Sequence, residues 1–220
     1  MLYLVATPIG NLEDITLRAI RILREVDLVL CEDTRKTGFL LKHLGLKKKL
    51  VSFFEHSEVK KMPWVIDELS QGKNIALVSS AGTPTISDPG YKLVRECRRL
   101  SLAVSSAPGA SSVINALSLT SIPHEKFIFL GYIPKKKNQC KQLFDSVKDW
   151  GLAVVFLESP YRLIKSLEIV KEVFGDRKVA VAREMTKKFE EVKEAEAKEL
   201  LVYFSNKKPK GEMVLIVAAA

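Results

Sequence analysis

Cysteine is scarce in this sequence of 220 residues, and its pattern argues against two kinds of stabilising centre. The three cysteines, Cys31, Cys97 and Cys140, are far apart, odd in number and never in a Cys-x-x-Cys pair. The three histidines show no metal-ligand spacing either. We therefore predict reduced, buried thiols in a cytoplasmic protein, with no disulfide framework, no structural zinc site and no other metal.

Long apolar runs are also missing. No run reaches the roughly 18 residues that a membrane-spanning helix needs. The opening segment, residues 1–6, has no basic region and is too short for a signal peptide, so it predicts a buried first strand. We expect no membrane partner.

Positive charge is abundant, with a formal net charge of +9. Many of the lysines are clustered, at residues 47–49, 135–137, 187–188 and 207–210. Such clusters suit a polyanion such as nucleic acid, because each lysine placed on a phosphate releases a condensed counterion. A lysine-rich, solvated surface is the alternative explanation.

Short apolar segments alternate with amphipathic ones, which predicts an α/β fold. The predicted strands are residues 2–6, 28–31, 50–53, 75–78, 102–104, 127–133, 152–157, 178–182 and 213–217. Helical spacing in the second half predicts helices over residues 139–147, 161–174 and 192–204. Serine, threonine and proline interrupt a helix near residues 118–125. We therefore predict two α/β domains, residues 1–117 with a parallel sheet and residues 118–220.

Three strand-end loops are unusually rich in glycine, proline and small hydroxyl residues: residues 7–12, 79–90 and 107–111. Ligands of parallel sheets lie outside the carboxyl ends of the strands, where these loops fall. Glycine lets the backbone approach a ligand closely, and proline stiffens the loop. One such loop is typical of any turn, but three at the same edge predict a binding pocket.

The residues alone narrow the ligand only to an adenosine-type cofactor. The phosphate-binding Gly-x-x-x-x-Gly-Lys-[Ser/Thr], the dinucleotide Gly-x-Gly-x-x-Gly and the hydrolase Gly-x-Ser-x-Gly patterns are all missing. Glu32-Asp33 follows the second predicted strand, where dinucleotide sites place a ribose-binding acid.

Six segments together carry a more specific signal. They are residues 4–16, Glu32-Asp33-Thr34-Arg35-Lys36-Thr37, residues 81–90, Glu158-Ser159-Pro160-Tyr161-Arg162, residues 182–187 and residues 211–217. In this order they resemble the ribosomal RNA small-subunit methyltransferase I family of the tetrapyrrole (corrin and porphyrin) methylase superfamily. The similarity spans nearly the whole chain.

The resemblance implies a fold, a cofactor and a substrate. The fold is two α/β domains, the second with a mixed sheet, with S-adenosyl-L-methionine in the cleft between them. The activity is 2′-O-methylation of a cytidine ribose in 16S rRNA, by a homodimer acting on the RNA or the small ribosomal subunit. The implied cofactor contacts are Pro8, Gly10, Ser80, Ala81, Gly82, Thr83, Ala110, Ser111, Phe156, Glu158 and Ala182. Glu32-Asp33 would then serve the RNA side of the site.

A ribose hydroxyl is a very weak acid, so a nearby base would accelerate methyl transfer. His56 or Glu58, after the third predicted strand, is the candidate base, although a packed or surface histidine is the more ordinary role. Arg35 and Arg162 could hold phosphates, unless they form surface ion pairs.

One departure from the family pattern leaves other functions open. Ser80 stands where family members usually carry aspartate, so the negative charge that could offset a sulfonium is missing there. A non-catalytic RNA-binding or assembly protein would fit this change. A small-molecule, tetrapyrrole-type methyltransferase would share the fold, but its Gly-Pro-Gly-Asp and Gly-Asp-Pro loops are absent.

Overall fold

The computed structural model describes residues 1–207 and 209–220; Lys208, in the fourth lysine cluster, lies outside the described residues. The chain divides into two compact units, Met1–Ser111 and Ser112–Ala220. Each unit has its own five-stranded sheet with flanking helices, so the predicted α/β class is confirmed. The predicted boundary after residue 117 falls within the first helix of the second unit, near its C-terminal end.

The first unit alternates strands and helices. Its elements are β1 (Leu2–Val5), α1 (Leu17–Glu25), β2 (Leu28–Cys31), α2 (Thr34–His43), β3 (Lys49–Ser52), α3 (Glu55–Ser70), β4 (Ile75–Val78), α4 (Tyr91–Arg99) and β5 (Val104–Ala107). The strand order is β3-β2-β4-β1-β5, and every pairing is parallel. All five strands therefore end at the same edge of the sheet.

Helices cover both faces of this sheet, which explains why β2 and β4 are apolar throughout. On one face Leu23 of α1, Leu41 of α2 and Val29 of β2 belong to one apolar cluster. On the other face Val65 of α3 and Leu93 of α4 belong to a second apolar cluster.

The second unit has a mixed sheet. Its elements are α5 (Ser112–Ser118), β6 (Phe127–Tyr132), α6 (Lys137–Val147), β7 (Ala153–Glu158), α7 (Leu163–Phe174), β8 (Lys178–Arg183), β9 (Glu191–Glu196), α8 (Ala197–Asn206) and β10 (Met213–Val217). The order is β6-β7-β10-β8-β9, with β6 and β7 parallel and the other pairings antiparallel. Phe144 of α6 lies 5.0 Å from Phe156 and 5.3 Å from Phe174 between ring centroids, within the apolar core under α6, α7 and α8.

Two strands differ from the sequence prediction by more than one residue at an end. The last strand of the first sheet is residues 104–107 rather than 102–104, and residues 191–196 form a strand rather than the start of a helix. Both are edge strands of their sheets, so polar and charged side chains replace the continuous apolar run of an inner strand.

The three cysteines are buried, as predicted, and all three are free thiols. Burial raises the pKa of the Cys140 thiol to about 11, with the nearby Glu158 carboxylate acting in the same direction. Within residues 1–207 and 209–220, no helix is long and apolar enough to cross a membrane. The same residues contain no group of three or more metal-ligating side chains.

Candidate functional site

Hydrogen bonds join the three glycine- and proline-rich loops at the carboxyl edge of the first sheet. The backbone N–H of Thr7 donates to the Gly82 carbonyl at 2.9 Å, and the Gly82 N–H donates back to Thr7 at 2.9 Å. The Thr83 hydroxyl donates to the Ala110 carbonyl at 3.3 Å. The loops after β1, β4 and β5 therefore form one connected surface.

Gly82 contacts both of the other loops. Its φ is +79°, and a Cβ atom there would lie 3.4 Å from the Ile9 side chain and 3.5 Å from the Ala110 carbonyl oxygen. The Ser79 hydroxyl donates to the Gly82 carbonyl at 3.0 Å from beneath the loop. A buried hydroxyl and a glycine thus hold the loop after β4 against its neighbours.

The structure brings most of the predicted cofactor residues of the first unit together. Gly82, Thr83 and Ala110 take part in the bonds that join the loops. Pro8 and Gly10 lie in the loop after β1, and Ser80 and Ala81 in the loop after β4; Ser111 is the last residue of the unit. Of these residues Gly10 is exposed, and Pro8, Ser80, Ala81, Thr83, Ala110 and Ser111 are partly exposed.

A carboxylate lies beside Ser80 at this edge. The Ser80 hydroxyl donates to Oε2 of Glu32 at 2.6 Å. Glu32 follows β2 and Ser80 follows β4, two strands that pair with Cys31 opposite Val78. Glu32 therefore places a carboxylate within hydrogen-bond distance of position 80. Sequence reasoning assigned Glu32 to the RNA side without linking it to Ser80.

The two candidate bases differ sharply in their surroundings. His56 is exposed near the start of α3, and its ring meets that of Phe54 edge-on at 6.4 Å. Glu58 is only 3% exposed and accepts a hydrogen bond from the backbone N–H of Leu93 at 3.3 Å. Glu58 thus serves the first turn of α4, and His56 is the exposed member of the two candidate bases.

Arg35 is exposed and bound to the acid beside it. Its guanidinium donates to both carboxylate oxygens of Asp33, from Nε at 3.2 Å and from Nη2 at 2.9 Å. These hydrogen bonds hold the pKa of Asp33 well below its usual range. The remaining N–H groups of the guanidinium are left to face solvent or a ligand.

The predicted cofactor residues of the second unit have buried side chains. Phe156 and Ala182 are 0% exposed and Glu158 is 1% exposed. Glu158 accepts hydrogen bonds from the Ser159 N–H at 2.6 Å and from the Ser166 hydroxyl, and it pairs with Arg162 at 2.5 Å. The Glu158 side chain is therefore satisfied by protein groups, and Arg162 neutralises a buried acid instead of standing free.

Comparisons with known proteins match nearly the whole chain. Residues 1–201 match the family described as Tetrapyrrole (Corrin/Porphyrin) Methylases. The chain is 46% identical over 217 residues to the ribosomal RNA small subunit methyltransferase I of Thermotoga maritima, covering 99% of this chain and 97% of the relative. It is 43% identical to the Rickettsia prowazekii protein of the same name, covering 99% of this chain and 78% of the relative.

Solved structures show the same fold at low sequence identity. A diphthine synthase superposes with a TM-score of 0.77 at 15% identity, covering 99% of this chain and 89% of the other. Uroporphyrin-III-C-methyltransferase from Thermus thermophilus superposes with a TM-score of 0.67 at 21% identity, covering 99% and 93%. At these identities the two likenesses establish the architecture alone.

Proposed function

Because this chain belongs to the tetrapyrrole (corrin/porphyrin) methylase family, we propose that it is an S-adenosylmethionine-dependent methyltransferase acting on small-subunit ribosomal RNA. The observation that carries the proposal is the 46% identity, along nearly the whole chain, to a relative of that name. The joined loops at the carboxyl edge of the first sheet support it, because they offer backbone groups where α/β folds bind ligands.

The proposed acceptor is the ribose 2′-hydroxyl of a cytidine in 16S rRNA, and the proposed assembly is a cytoplasmic homodimer. Incubation of the chain with methyl-labelled cofactor and unmodified 16S rRNA or small subunits tests the acceptor. A 2′-O-methyl group makes the adjacent phosphodiester resistant to alkali, so the label should appear in a dinucleotide. Label in mononucleotides, or transfer only to an added tetrapyrrole, would contradict it. Light scattering of the purified chain tests the dimer.

The loops fit such a cofactor, since they combine small side chains and backbone groups with the Glu32 carboxylate at one edge. When bound, the cofactor supplies an electrophilic methyl group on a positively charged sulfur. In our proposal residues 8–10, 80–83 and 110–111 bind and orient it. Orientation of this kind contributes up to about 7–11 kcal/mol in favourable cases.

Two exposed side chains complete the proposed site. His56 accepts the hydroxyl proton on an imidazole nitrogen, a step worth roughly 10²–10⁴-fold in rate. Arg35 contacts a phosphate of the RNA through the N–H groups that Asp33 does not occupy.

Replacing His56 by glutamine should lower the rate of methyl transfer and leave cofactor affinity unchanged.

Cofactor binding should stabilise the chain measurably. At a concentration 100-fold above its dissociation constant, S-adenosylmethionine is expected to add about 2.7 kcal/mol to the free energy of unfolding. For a chain of this size that raises the melting temperature by roughly 5–10 °C. The demethylated product should give a similar rise, and ATP at the same concentration serves as the control. A melting curve that neither ligand moves would contradict the enzyme proposal.

Changing Ser80 to aspartate should alter cofactor selectivity through charge. The new carboxylate would lie beside Glu32, so the two charges repel in the free protein and a bound sulfonium relieves the repulsion. We expect S-adenosylmethionine to gain about 1 kcal/mol of binding free energy, less where water screens the charges. The uncharged demethylated product should gain less.

The matched control is Ser80→Asn, which has the same shape as aspartate and no charge. Calorimetric titration of both ligands into the two variants separates charge from shape. Equal gains for both ligands, or a gain in the asparagine variant, would show that attraction to the sulfonium is not responsible.

A further inference from the structure

The second unit contains a cavity of about 200 Å³ that the proposed methyl-transfer site does not use. It lies beside Pro134 and Arg162, which follow the parallel strands β6 and β7. The cavity is therefore at the carboxyl end of a parallel strand pair, between the first turns of α6 and α7.

The lining of this cavity is strongly cationic. Lys135, Lys137, Arg162 and Lys165 contribute positive charges, and Glu168 contributes one negative charge. Arg162 is neutralised by the buried Glu158, which leaves three lysines against one acid. Among the residues that the structure describes, none of these three lysines forms a salt bridge, although Glu172 attracts Lys137 at longer range.

One helix N-terminus, that of α6, adds to this positive field. α6 begins at Lys137 with no side-chain cap and no acidic residue in its first turn. α7 begins at Leu163, and the Glu158 carboxylate offsets the positive end of its dipole. Glu158 accepts a hydrogen bond from the Ser166 hydroxyl in the first turn of α7. The first backbone N–H groups of α6 have no intrahelical acceptor, so this end of the helix favours an anion.

We propose that this cavity binds one backbone phosphate of the substrate RNA, an inference that rests on the proposed function. Lys135, Lys137 and Lys165 contact the phosphate oxygens from two sides, with the N-terminus of α6 pointing at the same group. Arg162 is a positioning residue, because it donates to the Ile133 carbonyl at 2.9 Å and so fixes the segment that carries Lys135.

The test compares the salt dependence of RNA binding for three forms of the full-length chain. They are the wild type, the triple variant Lys135→Ala/Lys137→Ala/Lys165→Ala, and the control Lys136→Ala, whose lysine is in the same cluster but does not line the cavity. Loss of one phosphate contact should flatten the log–log slope by about 0.7–0.9. The control should keep the wild-type slope.

Three other results for the slope would contradict the proposal. An unchanged slope in the triple variant, or equal flattening in the control, shows diffuse attraction rather than a site. Flattening by about 2–3 means that each lysine contacts a separate phosphate. Unchanged melting and cofactor binding verify that the triple variant is folded.

A methylation assay on the same samples separates this proposal from the proposed function. Wild-type chain that binds RNA with the expected slopes but transfers no methyl group overturns the function and leaves the phosphate site standing. Transfer with an unchanged slope in the triple variant overturns the phosphate site alone. A wild type that binds no RNA overturns both.

Discussion

Replacing Gly90 with alanine is expected to lower the free energy of unfolding by about 2–5 kcal/mol. This loss combines the cost of a left-handed backbone conformation for alanine with the cost of forcing a methyl group into a packed core. Gly90 precedes α4 with a φ of +119°, which an L-residue adopts only at a cost. Its added Cβ would lie 2.4 Å from Cδ2 of Leu77 and 3.1 Å from Cγ2 of Thr85. Leu77 is 2% exposed in an inner strand, so it has little room to move.

The matched control is Gly72→Ala, because Gly72 also has a positive φ, +87°, but no atom within 4 Å of the added Cβ. The Gly72→Ala variant should lose only the free energy of unfolding that the positive φ costs an alanine, about 1–2 kcal/mol. Urea unfolding can be followed by the fluorescence of Trp64, which packs in the same apolar cluster as Leu77, in a Trp150→Phe background. Equal losses in the two variants would show that the clash with Leu77 is relieved at no cost.

The second large effect is expected when Arg162 is replaced by methionine. The change leaves the Glu158 carboxylate, whose side chain is 0% exposed, without its cation. Removing one partner of a buried ion pair typically costs about 3–5 kcal/mol, because an uncompensated charge stays inside. The melting temperature and the urea midpoint of the variant should both fall.

Two further variants make this result interpretable. Arg21→Met breaks the Arg21–Glu25 pair, which has the same spacing of four residues but side chains 59% and 57% exposed, and should cost no more than about 0.5 kcal/mol. Arg162→Met/Glu158→Gln removes both charges and should recover a large share of the loss. A double variant as unstable as the single one would show that packing, not the buried charge, is responsible.

The inner strands of both sheets were predictable because burial on both faces demands continuous apolar runs. β2, β4 and β10 begin and end as predicted. Two of the four edge strands, β5 and β9, were not. β9 carries charged side chains at four of its six positions, among them Glu191, Lys193 and Glu194, and resembles an exposed helix locally. Its strand conformation comes from pairing with β8, a tertiary contact that local composition does not encode.

The candidate site shows the same division. Loop composition predicted the candidate binding edge, because glycine and proline are read directly from the sequence. The Ser80–Glu32 hydrogen bond could not be predicted, because it depends on β4 lying beside β2. That strand order is not evident from the sequence. The burial of Glu58 likewise depends on α4 packing beside α3.

The two sheet topologies also set how each unit can fold. In the first sheet every pairing joins strands separated by at least one helix, so each contact must close a long loop. In the second sheet β8 and β9 are antiparallel and are linked only by residues 184–190. The second unit therefore has a local hairpin from which its sheet can grow, whereas the first unit, which leaves the ribosome earlier during synthesis, has none and must nucleate through long-range contacts.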